Sequence, residues 1–207
     1  QLPTGASSQT SDTWYAKSDT AATPCVGGSP AVNQGASQKL RTAADPDAGG
    51  AGTAIVNENI YDLAGNVVAT RVGTEPWTCA TYDARNRPVT VVHPAYGGAA
   101  SRTVTNNYAV SANPLASSVS DAAGTITTVV DLFGRTVSMT DVWGVTTTTT
   151  YNQDGSVAQT SSPMITLQRG YDNVGRLNRV GTALQPFATI IYDSLSRPQT
   201  IEYPAGV

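Results

Sequence analysis

The amino-acid sequence predicts an all-β chain, an antiparallel ribbon of repeated β-hairpins with little or no helix. Composition is the first reason. The 207 residues include 29 Thr but only two Lys and three Glu. Residues that suit a pleated surface abound, and strong helix formers are scarce. Pattern is the second reason, because Leu and Met hardly ever recur at three- or four-residue spacing and no amphipathic helix stands out. The third is a period. Tyr-Asp pairs open hexapeptides at Tyr61-Asp62, Tyr82-Asp83, Tyr171-Asp172 and Tyr192-Asp193. Weaker copies start at Val130-Asp131 and Tyr151-Asn152, and a faint one at Tyr108. Successive starts lie 21, 26, 22, 21, 20 and 21 residues apart, as expected of one supersecondary unit copied along a chain.

Residues 1–53 are rich in Ser, Thr, Gly, Ala and Pro, with weak patterning around Trp14-Tyr15 and from Val26 to Val32. They read as a turn-rich N-terminal cap or a degraded repeat. The run from Ala43 to Gly52 is turn or linker chemistry. Residues 54–207 read as the hairpin array. The chain opens at Gln1 with no charged and apolar leader ahead of it, which points to a processed protein or an excised piece.

Each unit of the array holds two turn signals. The first is the hexapeptide, in which Asp62, Asp83, Asp131, Asp172 or Asp193 can accept from the backbone N–H two residues on. Gly65, Gly134, Gly155 and Gly175 then supply a positive φ. Asn86, the residue that best tolerates that conformation after Gly, stands in one copy. Ser196 is a poorer occupant of the same position. The second signal comes about ten residues later, as in Asp121-Ala122-Ala123-Gly124 and Asp141-Val142-Trp143-Gly144. Strands lie between the turns: Val145, Thr147, Thr149 and Tyr151 share one face at period two. Arg87, Arg135, Arg176 and Arg197 follow their Asp by four residues, so a short ion pair across each turn is expected, worth at most about 1 kcal/mol where exposed. The Tyr ring ahead of each turn is expected to pack on the neighbouring hairpin with its hydroxyl wet.

The hexapeptides Tyr61-Asp62-Leu63-Ala64-Gly65-Asn66 and Tyr171-Asp172-Asn173-Val174-Gly175-Arg176, with Asp131-Leu132-Phe133-Gly134-Arg135 and the 20–22-residue step, resemble the YD repeat of rearrangement-hotspot (Rhs) proteins. The resemblance covers roughly residues 54–203. Val130 in place of Tyr and the 26-residue step before Tyr108 depart from it. The resemblance implies a wall segment of a hollow shell, since YD-repeat proteins include bacterial polymorphic toxins, wall-associated proteins, insecticidal toxin-complex subunits and teneurins. In many bacterial members such a shell encloses a C-terminal toxin released by aspartyl self-cleavage. Asp45-Pro46-Asp47-Ala48-Gly49 has a superficial likeness to that cleavage motif, yet it precedes the repeats and reads as linker.

Other classes find little footing. A net charge of −3 with 13% charged residues gives no basic stripe for nucleic acid. No apolar run approaches the roughly 18 residues of a membrane-spanning helix. Cys25 and Cys79, the two cysteines, match no zinc spacing. In an oxidising compartment they would close a loop of about 55 residues worth roughly 4 kcal/mol; alternatively they are two unrelated small buried residues. Low Lys and abundant Thr, Ser, Gly and Asn suggest a secreted or cell-surface protein. His93 is the sole histidine and lacks a nucleophile-elbow serine. Glu58, Glu75 and Glu202 have no distinguishing context for glycoside hydrolysis, and the Asp-x-x-Gly turns lack the clustered carboxylates of a calcium loop. No catalytic residue, metal ligand or cofactor is therefore expected. Trp77, Trp143, Phe133 and the tyrosines could form an aromatic face for carbohydrate or could pack hairpin on hairpin. The expected partner is the remainder of a longer repeat chain or further copies of this one. An extracellular adhesion or carbohydrate-binding module is the alternative.

Overall fold

The computed structural model describes residues 10–25, 31–34, 39–44 and 55–204, in two compact units, residues 1–106 and 107–207. The linker run after Ala44, including Asp45 to Gly49, and the stretch from Val26 to Pro30 lie outside the described residues.

In the first unit, β1 (Thr10–Trp14), β4 (Lys39–Ala44), β5 (Ile55–Tyr61), β6 (Val67–Val72), β7 (Thr78–Tyr82), β8 (Pro88–His93) and β9 (Arg102–Asn107) follow one another across an antiparallel sheet, while β2 (Thr20–Ala21) and β3 (Val32–Asn33) make a separate pair. In the second, strands pair in strict chain order: β10 (Ala116–Asp121), β11 (Gly124–Val130), β12 (Thr136–Thr140), β13 (Thr146–Tyr151), β14 (Val157–Ser161), β15 (Thr166–Tyr171), β16 (Leu177–Gly181), β17 (Pro186–Tyr192) and β18 (Pro198–Glu202). The chain is thus an all-β antiparallel hairpin ribbon. Its one helical piece among the described residues is a 3-10 turn, Val110–Ala112.

Period-two patterning follows from the pleat. Along β13, exposed Thr146, Thr148 and Thr150 alternate with half-buried Thr147, Thr149 and Tyr151. Fully buried apolar residues are few among the described residues: Tyr15, Ile60, Tyr61 and Ala69 in the first unit, and Ala116 in the second.

The repeat carries a device that the spacing alone does not reveal. Register shifts fall between Ile60 and Tyr61, Thr81 and Tyr82, Val129 and Val130, Thr150 and Tyr151, Gly170 and Tyr171, and Ile191 and Tyr192. Each hexapeptide therefore opens on a β-bulge, which bends the strand and re-aims the side chain that sits there.

The two turn signals also differ more than their shared Asp-x-x-Gly spelling suggests. Asp141 opens a loop of the hexapeptide type, its N–H reaching the Val145 carbonyl at 3.0 Å. Asp121 instead pairs directly with Gly124 around a two-residue loop, Ala122-Ala123. A Cβ on Gly124 would stand 3.0 Å from Val142 Cβ, and its φ is +146°, so glycine serves close approach there. Other second turns add hydroxyls: Ser162 Oγ and Thr182 Oγ1 accept the N–H groups of Ile165 and Gln185 at 3.3 and 3.2 Å, beside backbone N–H bonds from Ser162 and Thr182 to the Ile165 and Gln185 carbonyls at 2.9 and 2.8 Å.

The 26-residue step before Tyr108 is taken up between β8 and β9, where Tyr96 and Ala99 bridge across Gly97 and Gly98, at φ +57° and +86°. After Tyr108, Ser111 and Ala112, at φ +52° and +62°, turn the chain where the other copies use a single left-handed residue. Asn107 and Asn113 side chains accept from the N–H groups of Ala109 and Leu115, each at 3.0 Å.

Candidate functional site: carboxylate loops and tyrosine clasps

Each hexapeptide folds around its acidic residue. In the Asp172 loop, Oδ1 accepts the backbone N–H groups of Val174 and Arg176 at 3.0 and 2.9 Å, while Oδ2 takes Arg176 Nε at 2.6 Å. The Asp83, Asp131 and Asp193 loops repeat all three bonds with Arg87, Arg135 and Arg197. Asp62 does the same with Asn66, whose amide Nδ2 replaces the guanidinium at 2.9 Å. In the Asn152 copy, Nδ2 donates to Ser156 Oγ at 2.8 Å. The left-handed position is filled by Gly65 (φ +86°), Gly134 (+77°), Gly155 (+87°) and Gly175 (+83°), and by Asn86 (+59°) and Ser196 (+63°).

These contacts hold the Asp83, Asp131, Asp172 and Asp193 carboxylates below the ordinary aspartate value. For Asp83 and Asp193 the leading cause is the backbone N–H of the arginine. For Asp131 and Asp172 partial desolvation is the largest single influence and pushes upward, but the arginine side chain and the loop N–H groups together outweigh it. Asp154 is lowered chiefly by the Ser156 hydroxyl.

The tyrosines then fasten neighbouring units. Tyr82 Oη donates to the Val67 carbonyl at 2.9 Å, Tyr151 to Thr136 at 2.8 Å, Tyr171 to Val157 at 3.0 Å and Tyr192 to Leu177 at 2.7 Å. Every acceptor is the residue immediately after the preceding loop. The hydroxyls are therefore engaged with backbone rather than left to water, which corrects the expectation from the sequence; the bulge at each tyrosine re-aims the ring. Burial, followed by the nearby Asp62 charge, raises the Tyr82 phenol above its usual value, which keeps it a donor. Arginine completes the clasp. Arg135 lies 4.4 Å from the Tyr151 ring centroid and Arg176 lies 4.5 Å from that of Tyr192, a cation–π contact made by a guanidinium already fixed by its aspartate. Loop also touches loop, through Asn66 to Asn86 and Arg176 to Ser196, each at 3.0 Å.

The first unit has an additional cover. Cys25 and Cys79 form a disulfide with Cα atoms 5.9 Å apart. Gln34, only 2% exposed, bonds both backbone groups of Tyr61: Nε2 donates to its carbonyl at 3.0 Å and Oε1 accepts its N–H at 2.8 Å. One glutamine thus does the work of a strand edge. Tyr15 packs edge-on to Tyr61 with centroids 6.4 Å apart and donates to the Asn59 carbonyl at 3.0 Å. Neither role is marked in the sequence, because a long-range contact of one side chain leaves no period. Beneath this segment lies a cleft of about 1080 Å³ lined mainly by apolar groups, among them Pro24, Val32, Ile60, Val68, Trp77 and Val92.

The other candidates are scattered. His93 ends β8 and is exposed. Glu58 is taken by Arg71, whose guanidinium lies 4.5 Å from the Trp77 centroid, while Glu75 and Glu202 are exposed. Phe133 and Trp143 sit on loops at opposite ends of β12, 85% and 83% exposed, so they do not form one face. Among the described residues no three His, Cys, Asp or Glu side chains gather as metal ligands, and no helix is long and apolar enough to cross a membrane.

No family model matches the chain, and no curated protein matches it. Among solved structures the chain is similar to the crystal structure of TcdB2-TccC3-TEV, at 13% sequence identity and a TM-score of 0.34. The match covers 81% of this chain and 12% of that one. At that TM-score the likeness establishes no shared role.

Proposed function

We propose that this chain is a non-catalytic structural segment of a secreted bacterial YD-repeat wall that encloses or presents a toxin or surface domain. The observation that carries this reading is the clasp. Its polar groups are spent on one another: carboxylate on loop N–H and guanidinium, guanidinium on ring, hydroxyl on the next carbonyl. Such groups are placed to hold a wall together. The disulfide favours an oxidising, extracellular setting. A wall of this kind presents one continuous sheet face to whatever it surrounds, so specificity comes from shape and position rather than from a pocket.

The rival reading is a carbohydrate-binding module, for which exposed Trp143 is the best anchor. It is disfavoured because the aromatics do not cluster and Trp77 already carries a cation. A glycan array with the wild-type chain and Trp143→Ala separates the two. The wall reading expects no specific binding; saturable binding of one glycan, lost in Trp143→Ala, overturns it.

A further inference from the structure

A short flap in the first unit is fixed at its base and tied down again toward its tip. Its strands β2 and β3 pair Thr20 with Asn33 and Ala21 with Val32. A two-stranded pair that short has only marginal stability of its own. At the base the anchorage is buried and multiple. Gln34 holds both backbone groups of Tyr61, and Tyr15 packs on the same ring. Asn33 Nδ2 also donates to the Lys17 carbonyl at 2.8 Å, and the Gln34 N–H to that of Asp19 at 3.0 Å. Toward the tip the tie is covalent, from Cys25 to Cys79 of β7. The cleft lies between these two attachments. Ala21, Pro24 and Val32 line it from the flap, and Ile60, Val68 and Val92 from the sheet. Both cysteines line it as well and are half-buried, so a small dithiol that enters the cleft meets the bridge.

We propose that the Cys25–Cys79 bridge is a reducible latch, and that cutting it lets the flap swing about Gln34 and uncover the apolar cleft. The step balances as a thiol–disulfide exchange. One thiolate of a dithiol attacks a bridge sulfur, and the other bridge sulfur leaves as a thiolate that takes up a proton. The second thiol of the reductant then resolves the mixed disulfide. Two electrons pass to the bridge, leaving two cysteine thiols and a cyclic disulfide of the reductant. The small side chains under the flap bury little area, so the flap opens once the tether is gone. Gln34 and Tyr15 keep its base in place, which makes the motion a hinge rather than a loss of the cover. This inference goes beyond the wall reading and does not depend on it. It applies to any chain that passes from an oxidising to a reducing setting.

The test compares the chain with and without dithiothreitol, at neutral pH and without denaturant, with alkylation and mass spectrometry to verify two free thiols. Hydrogen exchange across β2 and β3 should become at least about tenfold faster on reduction, while β5 to β8 stay protected. The apolar dye anilinonaphthalenesulfonate should bind saturably to the reduced chain and be released on reoxidation. A Cys25→Ser/Cys79→Ser variant should behave as the reduced chain does, with no dithiol present. Unchanged exchange in β2 and β3 with both thiols free would overturn the latch. So would loss of protection in β5 to β8 together with the flap, since the bridge would then support the whole unit. Flap release without dye uptake would overturn the uncovering of the cleft.

Discussion

The two units contrast in how a sheet acquires order. The first has a cover, in which Tyr15, Gln34 and the Cys25–Cys79 bridge lay an N-terminal segment against the strands and bury Ile60, Tyr61 and Ala69. The second has no such cover, and Ala116 is its one buried apolar side chain among the described residues. Its order comes from repetition. Three Asp–Arg loops and three tyrosine clasps recur along it, whereas the described residues of the first unit show one of each. A sheet can thus be fixed by a few long-range contacts or by many short ones, and the two strategies should fail differently.

The largest difference should come from the bridge. Replacing Cys25 and Cys79 by alanine frees a loop closed over a sequence separation of 54. It should cost the first unit about 4 kcal/mol and leave the second untouched, as read by hydrogen exchange across a urea series. Equal loss in both units would erase the distinction. Next comes Gln34→Ala, which strands the buried N–H and carbonyl of Tyr61. The expected cost is about 1–3 kcal/mol, with faster exchange at Tyr61 in particular.

In the second unit the comparable lesion is Gly175→Val. At φ +83° a β-branched residue should cost about 1–2 kcal/mol, with the damage confined to the Asp172 loop and its neighbours. Ser196→Gly is the mirror test and should stabilise the Asp193 loop by about 0.5 kcal/mol, since relief at φ > 0 exceeds the added chain entropy. Thermal melts of both variants check the signs.

Acid gives the smallest and most diffuse effect. Asp83, Asp131, Asp172 and Asp193 are all depressed from an ordinary value of 3.8. Their stabilisation is complete above that value and drains away as pH falls through the lower folded-state values. Below about pH 4 amide exchange in the second unit, with three such loops, should therefore rise more than in the first. A larger rise in the first would break the comparison.

Much of the second unit was legible because its physics is local. An acidic residue, a left-handed position and an arginine four residues on are close in sequence and in space. The spacing carries the loops, and the alternation in Val145 to Tyr151 carries the strand. What the spacing could not carry was direction. The bulge at each tyrosine depends on how two strands count against one another, so the hydroxyl's reach to the preceding loop stayed hidden. Identical spelling also misled at Asp121-Ala122-Ala123-Gly124, where Gly124 against Val142 tightens the loop to two residues. In the first unit the cysteines suggested the bridge because pairing needs only two thiols and an oxidising setting. Gln34 gave no sign, being one amide that meets its partner 27 residues away.

Val130 occupies a clasp position without a hydroxyl, and the Leu115 carbonyl behind it receives only a backbone N–H, at 2.9 Å. Along the second unit the seam between β10 and β11 thus lacks the tyrosine clasp that its counterparts carry. A row of buttons parts where one is missing. Pulled from its ends, this stretch of fabric should begin to tear there.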